Sequence, residues 1–194
     1  MKRIFTFKNS IYLLISFASV GFISCDTASK GTATDADSTV MSNATAVLSG
    51  TGSDTTVTGQ ASFQSQSNGQ VRMMLNLSVP MKANSSVAVH LHEHGDCGDM
   101  GKNAHGHWNP TNENHGRWGE GNFHSGDIGN VELDAQGNGT MELTTDRWTI
   151  GGDSTTNILN KALIVHGGVD DYTTQPTGNA GSRIGCGVVS QTNQ

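Results

Sequence analysis

The stretch "SSVAVHLHEH" does most to narrow what this chain can fold into. Val87, Val89 and Leu91 alternate with Ala88, His90 and His92, the period-two pattern of a strand with two different faces. On such a strand His90 and His92 share a face, about 6.6 Å apart along the chain. At that spacing two imidazoles can converge on one ion, which rings on adjacent residues cannot do.

The rest of the body reads the same way. From Ala44 onward, "ATAVLSG", "TTVTGQASFQS", "QVRMMLNLSVP", "GNVELDAQGNGTMELTT", "KALIVHGG" and "CGVVS" are short β-prone runs separated by turn residues. With 25 glycines and little helical periodicity, they predict an all-β antiparallel sandwich or barrel. "DAQGNGT" between "VEL" and "MEL" predicts a hairpin, with Gly137 and Gly139 supplying positive φ. Two stretches, roughly 95–129 and 167–183, stand outside the strand scheme. Loops that long in a compact domain are usually functional, or held by a metal or a disulfide. No internal repeat is evident.

The N-terminus is a separate matter. "MKRIFTFKNS" carries Lys2, Arg3 and Lys8, and "IYLLISFASVGFI" follows without a charge. That order is the pattern of a secretory signal, and its apolar run is shorter than the ~20 residues of a spanning helix. "FISC" then resembles the lipobox of bacterial lipoproteins, with Phe22 where that motif usually has leucine. It implies cleavage before Cys25 and lipid on its thiol; an ordinary signal cut nearby is the alternative. Residues 1–24 are thus expected to be the signal and 25–43, small and polar, a flexible tether. A domain of residues 44–194 follows. Loss of Lys2, Arg3 and Lys8 takes the formal charge from −6 to about −9. A surface that acidic argues against nucleic acid or anionic membrane as partner. Membrane contact is expected only through the lipid. With Cys25 acylated, Cys97 and Cys186 remain as an even pair in an oxidising setting, which suggests one disulfide.

Beyond His90 and His92, the segments "GHWNP", "NENHGRW", "NFHSGD" and "LIVHGG" bring His107, His115, His124 with Asp127, and His166. Imidazole suits copper and zinc, and a carboxylate beside three histidines suits a zinc-like site. "VHLHEHGDC" and "GNAGSRIGCGVV" together resemble the copper/zinc superoxide dismutase family, over roughly residues 44–190. The resemblance implies a Greek-key antiparallel β-barrel, of immunoglobulin-like sandwich architecture, with two long functional loops. It also implies copper on His90, His92, His107 and His166, and zinc on His107, His115, His124 and Asp127, so that His107 bridges the two ions. Cys97 and Cys186 match the family's disulfide. Asp170 matches a carboxylate bonded to one ligand on each side, and Thr177 a residue that narrows the channel. Catalytic roles would fall to Arg183, beside the copper, and to His107. The implied reaction converts superoxide to dioxygen and hydrogen peroxide by copper redox cycling, in an exported setting such as the periplasm or cell envelope.

Some features lie outside that pattern. His94 and His105 read either as solvated loop histidines or as an auxiliary site that captures copper. "HGGVDDYTTQPTGNAGSR" lacks lysine, as in bacterial exported members, which leaves Lys102 a candidate for steering charge. Trp108, Trp118 and Trp148 read as core or loop-packing aromatics. A non-catalytic copper-binding or copper-delivery lipoprotein on the same barrel is the alternative function, and both homodimer and monomer are open.

Overall fold

Alternation of apolar and polar residues sets how each strand meets the core. In β1 (Asn43–Gly50), Ala44, Ala46 and Leu48 point inward, and in β3 (Val71–Ser78), Val71, Met73, Leu75 and Leu77 do. The structure, a computed structural model, describes residues 41–192. The expectations for the signal, the tether and Cys25 fall outside the described residues.

The other strands are β2 (Thr58–Ser65), β4 (Ser86–His92), β5 (Gly129–Glu132), β6 (Asn138–Thr145), β7 (Ala162–His166), β8 (Arg183–Val188) and β9 (Ser190–Thr192). Eight run side by side in the order β5-β4-β7-β8-β1-β2-β3-β6, and β9 pairs with β1. The named pairings are antiparallel. Because β3 is followed by β4 and β6 by β7 on the far side of the path, the connections are those of a Greek-key barrel. This is the all-β architecture expected from the sequence. Leu48, Phe63, Met73, Leu75, Leu91, Leu163, Val165 and Trp148 are among the side chains that fill it. Trp108 is buried as well, and Trp118 packs against the cluster.

One expectation is corrected. The turn over "DAQGNGT" forms, with Gly137 N–H donating to the Asp134 carbonyl at 2.9 Å, but the strands it joins do not make a hairpin. β5 pairs with β4 and β6 with β3, so they end the path on either side of a seam. Gly139 is needed there for room rather than for positive φ. A Cβ at that position would lie 2.5 Å from the Glu132 carbonyl oxygen and 2.7 Å from Val131 Cγ1.

The two long loops span 93–128, between β4 and β5, and 167–182, between β7 and β8. They explain a departure from simple alternation: in β4 every residue from Val87 to His92 is buried. One face meets the core, and the loops cover the face that carries His90 and His92. Cys97 in the first loop is bonded to Cys186 in β8 across a separation of 89 residues. In the chain-entropy account, closing a loop of that length is worth roughly 4–5 kcal/mol.

Candidate metal centre

The strands deliver three histidines directly. His90 and His92 lie on β4, paired with Ile164 and Ala162 of the neighbouring β7. His166 ends β7 at a break in register between Val165 and His166, opposite Arg183. Bulges of this kind re-aim a side chain at the rim of a barrel. The first loop supplies the rest: its chain returns beside β4 so that His107 stands opposite His92.

Two groups of ligand-capable atoms result, each within 4.8 Å of one another and each buried: His90, His92, His107 and His166, and then His107, His115, His124 and Asp127. His107 is the member common to both. His105, two residues earlier, is exposed and belongs to neither.

The orientation of four of the rings is fixed from behind. His90 Nε2–H donates to Asp170 Oδ2 at 2.8 Å, and His115 Nε2–H donates to Asp170 Oδ1 at 2.9 Å. His92 Nδ1–H donates to the His105 carbonyl at 2.8 Å, and His166 Nδ1–H donates to the Gly181 carbonyl at 3.3 Å. The opposite nitrogens then turn inward. His92 Nε2 and His166 Nε2 face each other at 3.3 Å, about the separation of two nitrogens bound 2.0 Å from one tetrahedral ion.

Asp127 anchors the second group. His107 Nδ1 lies 2.7 Å from its Oδ1, and the backbone N–H of His124 donates to its Oδ2 at 2.8 Å. Nδ1 of His115 and of His124 come within 2.9 and 3.1 Å of its oxygens, yet neither contact has hydrogen-bond geometry.

Among the described residues, four buried ring nitrogens are left with no hydrogen-bond partner: His90 Nδ1, His107 Nε2, His115 Nδ1 and His124 Nδ1. Leaving a buried polar atom unsatisfied costs about 1–3 kcal/mol each, so four in one place call for an explanation. Ions would supply it. An all-imidazole set fits copper, and three imidazoles with one carboxylate fit zinc.

Burial sets the charge of the rings. It lowers His107 to about 4, against the pull of Asp127. Burial, together with the charges of His90, His107 and Arg183, pushes His166 down to about 3. His92 moves in the same direction, mainly through burial. Neutral rings keep the lone pairs that an ion requires. Burial also opposes charge on His115, but its two carboxylate neighbours outweigh it and raise the ring to about 9. Burial alone would raise Asp127 and Asp170 too, yet their histidine contacts hold both well below the ordinary carboxylate range.

Arg183 begins β8, and its guanidinium donates to the carbonyls of Gly101 and His105 in the first loop. Burial lowers it, but a guanidinium remains charged. Thr177 lines a cleft of about 460 Å³ that also reaches His107 and His124; Arg183 is not part of that lining. Lys102 is exposed and lies 3.6 Å from Asp99, which partly cancels its charge.

Three contacts were not legible in the sequence. Asn130 grips the Asp170 backbone at both ends, accepting from its N–H at 2.8 Å and donating to its carbonyl at 2.9 Å. Gln175 does the same for His115, at 2.9 Å each way, and so ties the two loops together. Arg147 holds Glu113 at 2.7 Å. Gly178 is the one clear sequence signal of this packing: with φ at 66°, a Cβ there would lie 1.8 Å from Asp170 Oδ1.

Fold and donor sets together are those of a β-barrel protein with two adjoining groups, each able to hold a metal ion and both containing His107. The family model for copper/zinc superoxide dismutase (SODC) matches residues 57–189. The copper/zinc superoxide dismutase 1 of Aquifex aeolicus is 37% identical over 128 residues, 64% of this chain and 75% of that protein. The copper/zinc superoxide dismutase of Kluyveromyces lactis is 35% identical over 159 residues, 79% of this chain and 99% of its own. Among solved structures, that of the clock protein EA4 is similar with a TM-score of 0.66 and 30% identity, covering 76% of this chain and 93% of that one. This chain therefore belongs to the copper/zinc superoxide dismutase family of enzymes, whose cofactors are copper and zinc and whose substrate is superoxide.

Proposed function

We propose that the chain acts as an exported, lipid-anchored superoxide dismutase, with copper on His90, His92, His107 and His166 and zinc on His107, His115, His124 and Asp127. The observation that carries the assignment is the set of unpartnered inward nitrogens, divided so that His107 turns Nδ1 to Asp127 and leaves Nε2 facing the all-histidine group. When bound, copper supplies the one-electron redox chemistry that converts superoxide to dioxygen and hydrogen peroxide. His107 Nε2 is the atom suited to hold a proton and pass it to the peroxide. Arg183, fixed by two carbonyls, offers a permanent charge that attracts and orients the small anion. Asp170 is a positioning residue, because it sets the ring planes of one histidine on each side.

The test is metal content and superoxide consumption measured on one purified sample. Copper and zinc near one equivalent each, with rapid consumption, are expected. Copper without turnover would instead favour a binding or delivery protein.

Export and anchoring are supported by the charged and apolar opening, by "FISC" and by the disulfide, since such bonds persist in oxidising compartments. Cys25→Ser is expected to release the protein from the membrane fraction with its activity intact. Fractionation checks this, and a variant that stays with membranes as the unaltered chain does would defeat the lipoprotein reading.

A further inference from the structure

A third cluster of ligand-capable side chains lies outside the two buried groups. Glu93, His94 and His105 are all exposed, and one ligand atom from each lies within 4.8 Å of the others. The backbone brings them together. Past the point where His92 stands opposite His107, Glu93 N–H donates to the Gly106 carbonyl at 3.0 Å and His94 N–H to the Ala104 carbonyl at 3.2 Å. The chain leaving β4 thus runs antiparallel to 104–107 and sets His94 beside His105. Their rings meet edge to face, with centroids 4.5 Å apart.

His105 is held in place from several sides. Its φ is 60°, in the left-handed region, and its N–H donates to the Lys102 carbonyl at 3.0 Å. Its own carbonyl accepts from both His92 and Arg183. The ring therefore projects from a fixed backbone. Among the described residues, the three side chains have no hydrogen bond or ion pair to any other group. Lys161 bonds the backbone carbonyl of Glu93, at 3.0 Å, and meets its carboxylate only through the field of the charge.

We propose that Glu93, His94 and His105 form a third, surface site for a divalent transition-metal ion. Two imidazoles and a carboxylate are donors for copper(II) and zinc(II), copper binding the tighter, and not for calcium or magnesium, which take oxygen. The donor atoms already lie within 4.8 Å of one another, and all three side chains are exposed and, among the described residues, free of other hydrogen-bond partners, so they can turn onto one ion. Glu93 also lines the cleft that reaches His107. An ion here would add positive charge to the rim of that cleft, in a chain whose formal charge is −6.

The test counts ions and does not depend on turnover. Protein already loaded with one copper and one zinc is titrated with zinc(II), and then with copper(II) in competition, by calorimetry and equilibrium dialysis. A third equivalent is expected, with copper(II) displacing zinc(II). His94→Ala should weaken it at least about tenfold, the lower end of what losing even an outer partner of a ligand costs. His105→Asn, which tolerates the left-handed backbone, should do the same. Both variants should keep the first two equivalents, which reports that the barrel is intact. Only two equivalents on the unaltered chain, or a third that both variants bind as tightly, would overturn the proposal.

Discussion

Arg183→Glu is expected to slow the reaction with superoxide at least about tenfold at low ionic strength, with both metals retained, because it reverses the sign of a focused local charge. The argument starts from the net charge. At about −9 without Lys2, Arg3 and Lys8, the field of the whole molecule opposes an anion, so capture depends on local positive potential. Arg183 stands opposite His166 on the neighbouring strand, and its charge is felt at both His92 and His166. Arg183→Ile should be slower than the unaltered chain but faster than the Glu variant. Arg183→Lys separates charge from placement: an ammonium keeps the attraction but cannot fork to the Gly101 and His105 carbonyls as a guanidinium does. Lys102→Gln should show a milder loss, since Asp99 lies close to that lysine. Salt screens these effects over about 10 Å near 0.1 M, so rates are to be measured against ionic strength with metal content checked in each variant. An Arg183→Glu protein that keeps its copper and reacts as fast as the unaltered chain would defeat the steering argument.

His107→Ala should weaken both sites together. The ring is the only residue common to the two groups, and its removal takes one donor from each. A loss of at least about 10–100-fold in zinc affinity is expected, on the scale of losing an outer partner or worse, with a changed copper(II) electronic spectrum in the same protein. His105→Asn is the control, because that side chain is exposed and reaches neither group. A chelator competition for zinc and a visible spectrum for copper decide the matter. Unchanged zinc affinity in His107→Ala, or damage to both sites from His105→Asn, would remove the bridge from His107.

Much of this was legible in the sequence, for physical reasons. A strand repeats every two residues, so the Val87–His92 alternation carries both the fold and the shared face of His90 and His92. Pairing is different. "DAQGNGT" specifies a turn, but whether its flanking strands join each other depends on β3 and β4, which lie far away in sequence. The histidines stood out by residue type and by likeness to a known family, and Asp170 only by the latter. Asn130 and Gln175 could not be found that way. Their amides act by gripping the backbone of Asp170 and His115, and nothing local distinguishes them from any polar loop residue until both loops are folded.

The seam between β5 and β6 has a consequence for the molecule in a crowd. A sheet edge with free amides and carbonyls invites a strand from another copy, the first step toward fibrous assembly. An added strand needs about 4.7–4.9 Å of clear spacing beside the edge. Here Gly139 approaches the Glu132 carbonyl so closely that a single added carbon would lie 2.5 Å from it. At this end of the seam, then, the two edges leave no room for an intruding strand, although among the described residues only the Asp134 N–H to Asn138 carbonyl backbone bond beside the turn joins them.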